Sequence, residues 1–220
     1  LYQILTGPFE TMYGTWVYPI YYISMLTLLV GNITAVYQQS AKRMLAYSSI
    51  SHAGYLLITV SANQVSTPST ILYYSLSYTL ATIVAFGVVM IVAEYQTGRT
   101  EKPENFSSFE GLAKQNPALA FCFTISLLSL AGIPLTAGFW GKFFVFSDIF
   151  SKQVYNQVIV AILMSAIGVY YYFKGIIAIY FKDGEIERIE LPGLVRFAMW
   201  ACTLGTLLLG VYPSIVKNLF

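Results

Sequence analysis

Charge is scarce in this sequence. Asp, Glu, Lys and Arg make up 10% of the 220 residues, where a soluble domain carries about 25%. With 57% hydrophobic residues and a mean hydropathy of +0.66, the chain reads as an integral membrane protein. The net charge of +2 is small and the basic residues are scattered, so no nucleic-acid partner is expected. The lipid bilayer is the expected partner instead. The chain has two cysteines and one histidine. Cys122 and Cys202 lie inside apolar runs and read as small buried hydrophobes rather than a disulfide or a metal pair. No GxGxxG, Walker A motif, CxxC pair or metal-spaced His and carboxylate cluster occurs. The sequence therefore places no NAD, flavin, iron–sulfur or haem group on this chain. Leu1 to Pro8 lacks the basic run of a signal peptide and reads as the tail of a helix that starts upstream. The expectation is a fragment.

Long apolar runs are what the chain does have. One stretch, 121–150, is apolar almost throughout, yet about 20 helical residues already cross a hydrocarbon core. Its centre, Gly132-Ile-Pro-Leu-Thr-Ala-Gly138, holds two glycines and a proline. Proline lacks an N–H and clashes with the preceding turn, which predicts a break around Pro134. Non-helical backbone survives at membrane depth only where protein or a wet cavity covers it.

The pattern predicts an all-α, polytopic membrane helix bundle of about six transmembrane helices. The spans are 16–37, 42–62, 70–94, a broken span over 117–150, 154–181 and 194–216. A single transmembrane domain over 1–220 is expected. Pro19 falls in the first turn of the first span, where proline is tolerated. Tyr74, Ser77, Tyr78 and Thr82 form a polar face at helical spacing on the third. The loops alternate between two sides. Lys42, Arg43, Arg99, Lys102, Lys114, Lys182, Arg188 and Arg196 fall on one, and only Lys152 and Lys217 on the other. The positive-inside rule assigns the first side to the cytoplasm and puts the C-terminus outside.

Counting residues gives depth. Lys142 is ten residues before Lys152, or about 15 Å of helix, which is near the membrane midplane. A lysine there is a functional-site hypothesis, set against a lysine that snorkels to the surface. Desolvation disfavours a fixed charge at that depth and makes proton exchange feasible. The dipole of the half-helix after the break is expected to act in the same sense. Water is expected to serve the backbone groups that the break frees, and to link Lys142 towards His52.

His52 lies ten residues after Lys42 and so at the same depth, about 15 Å. It is the natural proton carrier near neutral pH. The competing reading is a neutral histidine in a helix contact. Ser48, Ser49 and Ser51 around it hold water or serve helix packing. Lys174 is expected to snorkel, Asp148 to be an outer-exit or interfacial carboxylate, Glu94 to be interfacial, and Tyr170 to Phe173 to be a packing stripe.

The runs Lys42-Arg-Met-Leu-Ala-Tyr-Ser-Ser-Ile-Ser-His52 and Ser129-Leu-Ala-Gly-Ile-Pro-Leu-Thr-Ala-Gly-Phe-Trp-Gly-Lys142-Phe resemble the subunit N family of bacterial NADH-quinone oxidoreductase, respiratory complex I. The mitochondrial counterpart is subunit 2. The run 167–174 is similar to that family's penultimate helix. The wider antiporter-like group includes subunits L and M and the multi-subunit sodium/proton antiporters. M-type chains usually have Glu where this one has Lys142, and L-type chains continue into a long lateral helix beyond the point where this one ends.

The resemblance implies the C-terminal part of a proton-translocating subunit, working with other membrane subunits of complex I in a bacterial inner membrane. It implies an enzyme at the level of the complex, a translocase, with no redox chemistry on this chain. Quinone, FMN and iron–sulfur clusters are then expected on partner subunits. Lys142 corresponds to the lysine of the family's broken helix, and His52 and Lys42 to polar residues of its tenth helix. The family's glutamate of helix five and lysines of helices seven and eight have no counterpart here. The alternatives are a subunit of a sodium/proton antiporter and a non-pumping structural membrane subunit.

Overall fold

The computed structural model describes residues 1–184 and 186–217. Among them are ten α-helices: α1 (Tyr2–Thr6), α2 (Tyr13–Val36), α3 (Ala41–Ala62), α4 (Thr67–Gln96), α5 (Leu112–Gln115), α6 (Pro117–Ala131), α7 (Ala137–Ser151), α8 (Tyr155–Phe181), α9 (Gly193–Val211) and α10 (Ser214–Lys217). The fold is an all-α polytopic membrane bundle. The side chain of Lys217, counted above on the basic-poor side, lies outside the described residues.

Local chemistry sets the helix ends. Ser40 accepts a hydrogen bond from the Arg43 N–H and caps α3, and Asn63 ends it in the left-handed conformation (φ 44°). Prolines open α4 and α6. Pro19 departs from expectation: α2 begins at Tyr13, so Pro19 stands inside the helix rather than in its first turn. There it leaves the Thr15 carbonyl without its i+4 donor.

Among the described residues, four segments are long and apolar enough to cross a membrane: Glu10–Val36, Thr67–Gln96, Tyr155–Phe181 and Gly193–Val211. The other two expected spans are α3 and the α6–α7 pair. Helix α3 has 22 residues but carries Ser48, Ser49, Ser51, His52 and Ser61. Thirteen of the 22 are buried, so its polar side chains largely face protein rather than lipid. It packs closely on α2, where a Cβ on Gly31 would lie 2.8 Å from the Ser51 nitrogen. Such small-residue contacts let membrane helices approach.

The basic end of the bundle is laced together. The 97–116 and 182–191 loops contribute ion pairs Lys42–Glu104 (2.6 Å), Arg99–Glu187 (3.1 Å), Lys182–Glu110 (3.0 Å) and Lys114–Asp183. The Tyr95 hydroxyl and the Arg99 guanidinium together hold the Glu187 carboxyl below its usual range. Lys174 donates to the Gln38 carbonyl at this end (2.8 Å), the snorkelling geometry expected of it. Glu94 is exposed near the same end.

Candidate functional site

The break spans residues 132–136, between α6 and α7. Helix α6 ends in a left-handed Gly132 (φ 86°). The Ile133 N–H returns to the Leu128 carbonyl and the Gly132 N–H to the Ser129 carbonyl, which is a Schellman closure. Leu135 is also left-handed (φ 75°), unusual for a branched side chain. Helix α9 covers the open backbone, with Gly210 so close to Leu135 that a Cβ there would overlap its carbonyl oxygen. The requirement for covered non-helical backbone at depth is met by protein.

Side chains serve two of the polar groups at the break. Ser129 Oγ accepts from the Gly138 N–H (3.1 Å) and so caps α7. Lys142, on α7, folds back so that its ammonium donates to the Ala131 carbonyl (2.9 Å) and to Ser165 Oγ (3.1 Å). The sequence reading assigned such groups to water; here each half-helix caps the other. Lys142 Nζ lies against the Ala131 carbonyl, at the C-terminal end of α6, where that helix's dipole supports an ammonium.

Lys142 is 6% exposed. Its Nζ lies 5.4 Å from the centre of the Tyr55 ring, a cation–π placement. It therefore faces α3 and α8, with no snorkelling path. Ser165 stands ten residues into α8, again about 15 Å from the helix end.

His52 is buried, at 5% exposed, in a tyrosine cage. Nδ1 pairs with Tyr74 Oη (2.7 Å), Nε2 with Tyr172 Oη (3.2 Å), and Tyr78 stacks on the ring at 4.7 Å. Tyr172 is in turn hydrogen-bonded to Ser48 Oγ. Between His52 and the break lies a space of about 10 Å³, lined by His52, Tyr74, Ser77, Tyr78, Ser129, Leu130 and Gly138. It is at the threshold for a single water.

Lys142 and His52 both neighbour the Tyr55 ring, at 5.4 Å and 6.2 Å from its centre, without a direct hydrogen bond between them among the described residues. Lys42 stands apart at the basic end, 56% exposed and paired with Glu104. Asp148 stands in the last turn of α7, near the Lys152 end, and is buried in protein there, at 4% exposed. Ser66 Oγ donates to its Oδ1 at 2.6 Å, and its Oδ2 has no hydrogen-bond partner among the described residues.

Tyr55, Ser129, Ser165 and Tyr172 escaped the sequence reading. Tyr172 had been counted as packing, yet it is a histidine partner. The available signal was spacing: Gln157, Ser165 and Tyr172 recur at eight and seven residues, one face of α8. Among the described residues no three His, Cys, Asp or Glu side chains gather as a metal site.

Residues 1–169 match the family described as NADH:quinone oxidoreductase/Mrp antiporter, TM. NADH-quinone oxidoreductase subunit N of Trichlorobacter lovleyi is 38% identical over 216 residues, covering 97% of this chain and 44% of the relative. Subunit N of Cytophaga hutchinsonii is 39% identical over 220 residues, covering 99% and 47%. The chain thus spans less than half the length of these relatives. Respiratory complex I from Thermus thermophilus with bound Aureothin contains a chain at TM-score 0.74 and 32% identity, covering 89% of this chain and 43% of that one. A chain of the Mrp complex from Dietzia sp. superposes at TM-score 0.86 and 20% identity, covering 99% and 48%; at that identity the likeness shows the fold alone. The chain is a multi-pass membrane protein and belongs to the NADH:quinone oxidoreductase/Mrp antiporter transmembrane family.

Proposed function

We propose that this chain is part of a proton-translocating membrane subunit of an NADH-quinone oxidoreductase, with Lys142 and His52 as its exchange groups. The observation that carries the reading is the Lys142 amine, buried at a helix break and held by Ala131 O and Ser165 Oγ. A buried lysine is costly unless it works or is neutralised. Here its partners suit both protonation states. The Ser165 hydroxyl accepts from an ammonium and can donate to a neutral amine. His52 offers a second exchange group at the same depth, with a hydroxyl on each ring nitrogen.

In this reading the basic end is cytoplasmic, the C-terminus is outside, and the membrane is the bacterial inner membrane. Quinone reduction, FMN and iron–sulfur chemistry belong to partner subunits. Lys42, at the basic mouth of α3, is a proton-collecting residue rather than a midplane one. The rival, a sodium/proton antiporter subunit, shares the fold. The subunit N relatives, at 38% and 39% identity, favour the oxidoreductase.

The test is Lys142→Met in the assembled complex, reconstituted in vesicles. Electron transfer is expected to continue at a full or reduced rate while proton uptake per electron falls. An unchanged ratio would sink the proposal. Lys42→Ala is expected to lower the ratio less and to cost under about 1 kcal/mol of stability, because an exposed ion pair contributes little. Co-purification of the chain with flavin and iron–sulfur subunits separates the oxidoreductase from an antiporter.

A further inference from the structure

We infer that the basic end of the bundle holds a site for an anionic diacyl phospholipid, in the cleft where α6, α9 and the 188–191 loop meet. The cleft is lined by neither Lys142 nor His52, so the inference stands independently of the proton-exchange reading. Its volume is about 740 Å³, within the range of small-ligand sites.

The rim is cationic. Lys114, Arg188 and Arg196 line the cleft against one carboxylate, Glu190. Lys114 is paired with Asp183, but neither arginine has a carboxylate partner among the described residues. The neighbouring Glu187 is taken by Tyr95 and Arg99. Arg196 gives one N–H to the Leu191 carbonyl (3.3 Å), which anchors the guanidinium and leaves other donors for a phosphate. The start of α6 acts in the same sense. Its N-cap residue, Asn116, turns its side chain to the Glu187 carbonyl and the Ile189 N–H. Ala118 and Leu119, on the cleft wall, therefore open a helix that has no side-chain cap, and its dipole favours an anion.

The floor is apolar. Leu119, Cys122 and Met199 line it and are buried. Trp200, stacked on Phe121 at 5.9 Å, forms one side. Leu194, Phe197 and Trp200 are three residues apart on α9 and all exposed, so the edge of the cleft continues into an apolar stripe on that helix. An exposed tryptophan beside basic residues suits headgroup level.

Together these features choose the occupant. A soluble phosphate would satisfy the arginines but leave the apolar floor uncovered. A zwitterionic lipid would cover the floor but bring its own cation to a rim that is already cationic. A lipid of net negative charge does both, with its phosphate against Arg188 and Arg196 and its acyl chains on the Met199 and Trp200 side. Basic pockets between membrane helices hold anionic headgroups in this way. The bound lipid would tie α6 to α9, the helix that covers the break through Gly210.

The test uses photoreactive phosphatidylglycerol, with photoreactive phosphatidylcholine as the zwitterionic control, in vesicles holding the assembled complex. Adducts are mapped to peptides. Phosphatidylglycerol is expected to label residues 112–122 and 194–200 saturably, and phosphatidylcholine to label them far less. In the double variant Arg188→Gln, Arg196→Gln, half-saturation is expected to rise about 30-fold, which is about 1 kcal/mol for each basic residue at an anionic surface. Lys102→Gln removes an exposed cation at the same end but outside the cleft, and is expected to leave labelling unchanged. Equal labelling by the two lipids, or an unshifted half-saturation in the double variant, overturns the inference. Displacement of phosphatidylglycerol by inorganic phosphate assigns the cleft to a soluble anion and overturns it too. So does the absence of adducts in these peptides, as when a neighbouring subunit fills the cleft. The comparison of the two lipids needs no variant, so it decides the matter even if the double variant fails to assemble.

Discussion

Gly138→Ala is expected to stop α7 from docking on α6 and to cost about 3 kcal/mol or more, the upper end of overpacking penalties. A Cβ at this position would overlap the Ser129 carbonyl oxygen, with the Ser129 Oγ only 3.0 Å away. Neither atom can retreat. The carbonyl is part of α6, and the hydroxyl accepts from the Gly138 N–H itself. Moving α7 outward would break that cap, withdraw Lys142 from Ala131 O and open the cover that α9 provides. The readout is the yield and thermal midpoint of the assembled complex. Gly87→Ala is the control. It lies inside α4 with nothing within 4 Å of its would-be Cβ, so the change is expected to be neutral or to stabilise by about 0.5–1 kcal/mol through helix propensity. Equal behaviour of the two variants would show that α7 tolerates displacement.

The break was legible because Pro134 and two glycines sit in an otherwise apolar run, and backbone chemistry at such positions is local. The span limits were legible within about three residues except at the last, expected to run to 216, where α9 ends at Val211 ahead of Pro213. Pro19 was misplaced because three residues of α2, Tyr13 to Thr15, are more polar than a span and were read as a link. Helix α3 was expected as a span despite its serines, and its burial explains why those residues are tolerated. The partners of Lys142 were not legible. Ala131 contributes a backbone carbonyl, which no residue type signals. Ser165 lies on another helix, at a register set only by packing. Tyr172 was hidden in an aromatic run whose commonest use is packing. Counting along one helix put Asp148 near the outer end, but its partner Ser66, just before α4, lies on another element that counting cannot include.

Lys142→Arg is the second large effect, and its failure modes separate charge from proton exchange. The substitution keeps a cation at the carbonyl end of α6, so an electrostatic or structural role predicts rescue. Two features argue for loss instead. The first is space. A Cβ on Gly132 would already lie 2.9 Å from Lys142 Cδ, so the stem runs through a gap that only glycine leaves open. A planar guanidinium carries five N–H donors, whereas Ala131 O and Ser165 Oγ are the acceptors that Lys142 uses. Each donor left buried without a partner costs about 1–3 kcal/mol. The second is chemistry. Arginine does not release its proton in proteins, so a step that needs a neutral base at residue 142 stops. The expected outcome is reduced assembly, and in the fraction that assembles a proton-to-electron ratio as low as in Lys142→Met. Raising the pH within the stable range of the complex should not restore it, because the guanidinium stays charged throughout. Recovery of the wild-type ratio in Lys142→Arg would show that a fixed positive charge at the break suffices, and that the lysine holds the two half-helices together without exchanging its proton.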